Sequence, residues 1–240
     1  MDDSEEDLNN NSFSQIRHKI VFVGEAGVGK ISIINRIVDN GLEDAYELSK
    51  GVDFKSKIIN YHGQNIKFQL WDTPGQEKYK ALIPSYVRKS SIVLVVYDIS
   101  QKTSFDKVPF WINYIKSIEN TKIVLCGNKT DLSLREVEKS EAEQFAQKER
   151  ISFFEICAKT NENVKLMFFS IIADLPIFSE AKNKEEIIKQ LLEEDRVENI
   201  QEENKLQNQN EGKGNTIIVK GKTTSIGKKK FECLIKYYMI

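Results

Sequence analysis

Cysteine is scarce in this chain of 240 residues: Cys126, Cys157 and Cys233 lie far apart, with no metal-ligand spacing and no even set for a disulfide framework. That pattern fits a reducing compartment. Long apolar runs are missing too, since no stretch approaches the roughly 20 residues needed to cross a bilayer. The first residues are acidic and Asn-rich instead of basic then apolar, so no secretory leader is predicted. Net charge is likewise absent: 35 Lys+Arg against 36 Asp+Glu leave a formal balance of −1, with basic clusters that are only local. Such a balance argues against a nucleic-acid partner, and any membrane contact has to come from a segment.

What the chain does have is 40% hydrophobic residues, enough for one sizeable core with polar extensions left over. Residues 1–15 are charged or polar with little to bury and read as a disordered acidic leader; 16–178 read as the folded domain. From 179 to 240 the composition turns to Glu, Lys, Gln and Asn and reads as a variable, largely disordered tail, with a short helix over Glu185–Asn199.

The organising stretch is Gly24-Glu25-Ala26-Gly27-Val28-Gly29-Lys30, set between the apolar run Lys19–Val23 and a helix-like segment opening at Ile31. Glycines let successive backbone N–H groups turn inward on an anion, the helix N-terminus adds positive potential, and the Lys30 ammonium reaches the outer phosphates. The helix runs through Ser32–Val38 and stops near Asn40-Gly41; Leu42–Lys50 lacks a period and is predicted to be a loop. Strands follow over Phe54–Asn60 and Ile66–Trp71, joined by the turn Tyr61–Asn65, in which His62 reads as a turn residue.

Farther on, strands at Ile92–Tyr97, Thr121–Cys126 and Ser152–Cys157 alternate with helices at Ser104–Ile118, Val137–Arg150 and Asn163–Leu175, the last ended by Pro176. The alternation predicts an α/β fold: a doubly wound, mainly parallel six-stranded sheet with helices on both faces and ligands at the carboxyl ends of its strands. The remaining motifs fall at those ends. Asp72-x-x-Gly75 can hold Mg²⁺ through water and offer a backbone N–H to a γ-phosphate, while Gln76 stands where it would orient an attacking water. Asn128-Lys129-x-Asp131 presents a carboxylate to the N1–H and exocyclic amine of guanine, a pair that adenine cannot supply. Cys157-Ala158-Lys159 adds a backbone N–H for the guanine oxygen and an aliphatic stem over the ring.

Over about Ile16–Phe178 the chain resembles a small GTPase of the Ras superfamily and, within it, the Rab family. The Rab likeness rests on Gly51-Val52-Asp53-Phe54, on Phe68–Thr73 and on Tyr79–Arg88; Leu82–Tyr86, Gly127–Leu132 and Asn163-Val164-Lys165 are most similar to the Golgi-associated subgroup. The resemblance implies a P-loop small GTPase fold, GTP/GDP and Mg²⁺ as cofactors, and slow GTP hydrolysis with Gln76 as the catalytic residue. It implies nucleotide contacts from Glu25 to Ser32, from Ser49 and Gly75, and from Asn128, Lys129, Asp131, Cys157, Ala158 and Lys159, with Ser49 and, through water, Asp72 on the metal. The implied partners of this monomer are an exchange factor, a GTPase-activating protein, a GDP-dissociation inhibitor, and effectors that meet the switch segments and the triad Phe54, Trp71 and Tyr86. For that triad, a plain core cluster is the competing reading.

Four positions of the folded domain, and the end of the tail, depart from the family pattern. Ile31 stands where a Ser or Thr hydroxyl should ligate Mg²⁺, and neighbouring Ser32 is turned away by about 100° of helix. Ser49 replaces the switch threonine, Leu42 the phenylalanine that covers guanine, and Pro74 the alanine before Gly75, which stiffens a hinge. Cys233, after Lys228-Lys229-Lys230, is followed by Leu234–Ile240 where the family's prenylated cysteines end the chain, so membrane attachment is left open. The expected location is cytoplasmic, peripheral to Golgi or other endomembranes if lipidated. Two functions compete: a GTP/GDP switch in vesicle traffic, and a Rab-shaped binding module that holds nucleotide weakly and does not cycle.

Overall fold

The computed structural model describes residues 16–38, 54–73, 81–179 and 183–211. Strands β1 (Ile16–Val23), β2 (Phe54–Tyr61), β3 (Gln64–Asp72), β4 (Ile92–Asp98), β5 (Lys122–Asn128) and β6 (Ser152–Glu155) form one sheet in the order β2-β3-β1-β4-β5-β6. Only the β2–β3 pair is antiparallel. Helices α1 (Lys30–Val38), α2 (Ile83–Val87), α3 (Lys102–Asp106), α4 (Val108–Ile118), α5 (Lys139–Glu149), α6 (Val164–Ile172) and α7 (Lys184–Glu211) complete the described elements, with a 3₁₀ turn at Pro176–Phe178.

The central strands are apolar without a polar face because both faces are covered, as parallel sheets require. Alternation sorts them into two cores. Ile20 and Phe22 of β1, with Leu94 and Val96 of β4 and Val124 and Cys126 of β5, meet Ile33, Ile34 and Ile37 of α1 and the apolar residues of α6. Val21 and Val23, with Val93, Val95, Tyr97, Ile123 and Leu125, meet Val108, Trp111, Ile112 and Ile115 of α4 and Ala142 and Ala146 of α5. The doubly wound, six-stranded sheet is therefore present as the alternation predicts.

Element ends differ from the sequence reading in ways that have local causes. The β2–β3 ladder runs on to Tyr61↔Gln64, so the turn shrinks to His62-Gly63, both at positive φ (50° and 79°), and Gly63 N–H donates to Asn60 Oδ1 at 3.2 Å. Two left-handed residues match the twist of a tight hairpin. The single helix expected over Ser104–Ile118 is two, α3 and α4, because Pro109 cannot continue a helix from the preceding turn and instead opens a new one. Arg150 closes α5 in the left-handed conformation (φ 56°), and α6 stops at Ile172, short of Pro176.

The largest difference is beyond residue 178. Instead of a short helix in a tail, α7 spans 28 residues, and Ile187, Ile188 and Leu191 are buried in the same core as α6. The sequence of α6, VKLMFFSII, is apolar all round, and a helix of that kind has to be covered on its outer side as well. The α7 stripe supplies the cover. Its entry is pinned by Asp174, which pairs with both Lys122 and Lys184. Residues 1–15 and 212–240, with Cys233 and Lys228–Lys230, lie outside the described residues.

Candidate functional site

At the carboxyl end of β1 the backbone makes a turn that side chains would obstruct. A Cβ on Gly24 (φ +141°) would lie 2.2 Å from the Val96 carbonyl oxygen, and one on Gly29 (φ +96°) 2.4 Å from Asn128 Nδ2. Lys30, only 7% exposed, folds back and donates to the carbonyls of Gly24 and Glu25, both at 2.9 Å. Burial lowers its pKa, and the carboxylates of Asp72 and Glu25 partly offset this. Its charge is therefore held by loop oxygens that an anionic group could replace. The indole N–H of Trp111 donates to Glu25 Oε1 at 3.0 Å and ties the loop to α4.

The second group comes from β5 and the turns after β5 and β6. Asn128 spans two loops: its Nδ2 donates to the Val28 carbonyl at 2.9 Å, and its Oδ1 accepts from the Ala158 N–H at 3.1 Å. Lys129, at φ 74°, pairs with the buried Asp98 at 2.6 Å. Burial works against ionisation of Asp98, but hydrogen bonds from Lys129 and Ser100 hold its carboxyl below the usual range. The Asp131 carboxylate accepts from the Cys157 thiol at 3.1 Å and faces the Lys159 ammonium at 3.2 Å, contacts that likewise lower its pKa. The Thr160 N–H donates to Cys157 Sγ at 3.3 Å.

Between the two groups lies a cavity of about 500 Å³, lined among others by Gly29, Ser32, Asn128, Lys129, Asp131 and Lys159. Its size and polarity suit a nucleoside with its first phosphate. Among the residues singled out in the sequence, those from Glu25 to Ser32 and Asn128, Lys129, Asp131, Cys157, Ala158 and Lys159 are thus brought to one end of the sheet. Asp72 ends β3 beside them. Ser49, Gly75 and Gln76, together with Leu42 and Pro74, lie outside the described residues.

The donor set fits a nucleotide: a loop that admits no side chain at Gly24 and Gly29, a buried lysine and a carboxylate in the wall of the cavity. It fits Mg²⁺ less well. Ile31 is 46% exposed in the first turn of α1 and offers no oxygen. Two contacts were not foreseen from the sequence: Trp111 on Glu25, and Arg36, whose guanidinium donates to the carbonyls of Ala158 and Lys159. No spacing rule marks either, since they join residues 86 and 122 or more apart in the chain.

The aromatic residues Phe54, Trp71 and Tyr86 form one contiguous group. Phe54 stacks on Trp71 at 4.9 Å and 18°, and Tyr86 meets Trp71 edge-on at 6.1 Å and 77°. All three are half-buried, and the Lys19 ammonium lies 4.3 Å from the centre of the Trp71 ring. No helix among the described residues is long and apolar enough to cross a membrane.

A strand, a glycine loop, a buried lysine and a helix at the carboxyl edge of a doubly wound sheet define a phosphate-loop nucleotide-binding domain. The family follows from comparison: the model of the Ras family matches residues 19–176, about two-thirds of the chain, and the chain belongs to that family. It is a small GTPase, a class that binds GTP and GDP with Mg²⁺, hydrolyses GTP, and works as a switch read by exchange factors, activating proteins and effectors.

Proposed function

We propose that the chain is a Rab-type switch of intracellular vesicle traffic, acting at the Golgi or a related endomembrane. The observation that carries this reading is the Phe54–Trp71–Tyr86 group: a stacked, half-exposed aromatic surface from the start of β2, the end of β3 and helix α2, with Trp71 preceding Asp72 on its strand. Aromatic side chains left half-exposed on rigid elements are suited to anchor a partner. A surface there senses the nucleotide through its neighbours.

In this proposal Lys30 and the amides of residues 25–32 would hold the phosphates, and Asp72 and Ser49 would be the residues that serve the metal. Asp131 reads the N1–H and amine of guanine, Lys159 covers the ring, and an amide of the 157–159 loop meets the guanine oxygen. Lys129 is held on Asp98 and braces the turn that carries Asp131. On the pattern of Ras-type switches, Gly75 would serve the γ-phosphate and Gln76 would orient the attacking water, with a partner's arginine accelerating hydrolysis. When bound, Mg²⁺ would supply counter-charge for phosphates that Lys30 only partly balances. A GDP-dissociation inhibitor carries the GDP form of the monomer, and stable membrane residence requires lipid on Cys233, because three lysines give only about 1 kcal/mol each near an anionic surface.

One observation favours the other reading, a Rab-shaped module that does not cycle: the absence of an oxygen at Ile31. Nucleotide co-purifying with the full chain, and its rate of release, separates the two. Stoichiometric GDP or GTP supports the switch; an empty protein that still binds its partners supports the module. Asp131→Asn should lower GTP affinity by several kcal/mol and favour xanthine nucleotide. An unchanged preference for GTP over XTP would remove Asp131 from base reading.

A further inference from the structure

The guanidinium of Arg36 lies on α1 yet holds the turn after β6. Its Nε donates to the Ala158 carbonyl at 2.8 Å and its Nη2 to the Lys159 carbonyl at 3.0 Å, and the side chain borders the cavity that these residues line. A planar fork with two fixed donors can pin two successive carbonyls at once, which an ammonium cannot do. A trans peptide is planar, so fixing the carbonyl of Ala158 also fixes the direction of the Lys159 N–H, and fixing that of Lys159 fixes the Thr160 N–H.

Other parts of the turn are held independently. The Cys157 N–H donates to the Glu162 carbonyl at 3.0 Å, the Ala158 N–H to Asn128 Oδ1, and the Thr160 N–H to Cys157 Sγ. The Ala158–Lys159 peptide, by contrast, is oriented by Arg36. Lys30 opens the same helix six residues earlier, about 9 Å along its axis. One rigid element thus carries the phosphate-side lysine at one point and the clamp on the base-side turn at another.

We propose that Arg36 is a positioning residue for guanine recognition: by clamping the carbonyls of Ala158 and Lys159 from α1 it aims the backbone amide that meets the guanine 6-oxygen. The inference rests on the reading that the 157–159 turn contacts that oxygen. It assigns to α1 the task of setting phosphate and base sites at a fixed separation.

The test uses the full chain with Arg36→Met and Arg36→Lys, checked for folding by thermal denaturation, and measures displacement of a fluorescent GDP by three competitors. GDP is the reference. 6-Thio-GDP replaces the oxygen by a weaker acceptor and keeps the N1–H and amine; IDP keeps the oxygen and lacks the amine. Wild type should prefer GDP over both. In Arg36→Met, GDP should bind about tenfold more weakly. The preference over 6-thio-GDP should shrink while that over IDP stays, with Arg36→Lys intermediate. Equal weakening of all three nucleotides, or no weakening at all, would overturn the positioning role and leave Arg36 as general support. A wild type that does not distinguish GDP from 6-thio-GDP would instead overturn the reading of the 157–159 turn, and the proposal with it.

Discussion

Two of the places where the molecule buries charge treat it differently. Against α7, Asp195 is 6% exposed and receives Lys57 at 2.8 Å and Lys165 at 2.6 Å, so strand β2, helix α6 and helix α7 are joined through one carboxylate. Burial would raise the Asp195 pKa, but the two ammonium groups hold it below the ordinary range. At the nucleotide end, Lys30 is about as buried, yet its nearest acceptors are the backbone carbonyls of its own loop. The first arrangement closes charge on charge and serves to hold elements together. The second keeps a cation on weak, replaceable acceptors and serves to receive an anion.

The difference is broken most severely at Asp195. Asp195→Ala leaves Lys57 buried without its carboxylate and should cost about 3–5 kcal/mol, a drop of roughly 10 °C in melting temperature, with GDP affinity unchanged. An unchanged melting temperature would show that α7 does not dock through this carboxylate. Because its folded pKa is depressed, Asp195 stabilises the fold above the unfolded carboxyl pKa of about 3.9, and that contribution is lost as pH falls through the lower folded value. Acid denaturation of Asp195→Asn should accordingly be less steep than that of wild type.

Gly29→Ala attacks the other end. Its Cβ would press on Asn128 at a backbone angle that alanine rarely adopts, for a strain of about 1–3 kcal/mol. Here GDP affinity should fall more than thermal stability does; the reverse ranking would mean that Asn128 serves the core instead of the nucleotide. Ile31→Thr sharpens the same end by adding an oxygen. Wild type should release GDP quickly and almost independently of chelator, whereas the variant should hold it longer in Mg²⁺ and release it on adding EDTA. If wild type already retains GDP until EDTA is added, the missing hydroxyl is replaced by another ligand. The smallest effect is expected from Trp111→Phe, which removes one donor from Glu25 and should change GDP dissociation by about 1 kcal/mol or less.

Much of this site could be read from the chain because its chemistry is local. The phosphate loop, Asn128-Lys129-x-Asp131 and Cys157-Ala158-Lys159 each place their groups within a few residues, and the alternation of apolar strands with helices carries those turns to one edge of the sheet. Sequence also marked Phe54, Trp71 and Tyr86, but left open whether they form a core or a surface; their stacking in a half-exposed group is a tertiary result.

What the amino-acid order determined by itself was the hydrophobic period of each strand and helix, and hence the doubly wound sheet and the position of its loops. Only the tertiary structure decided that Arg36 clamps the turn after β6, that Trp111 ties down Glu25, and that a Glu- and Lys-rich stretch after residue 178 is a helix seated on α6. The physical reason is the same in each case. Hydrogen bonds and buried ion pairs between residues about a hundred positions apart obey no spacing rule, and composition conceals a stripe as short as Ile187, Ile188 and Leu191 until there is an uncovered apolar helix for it to meet.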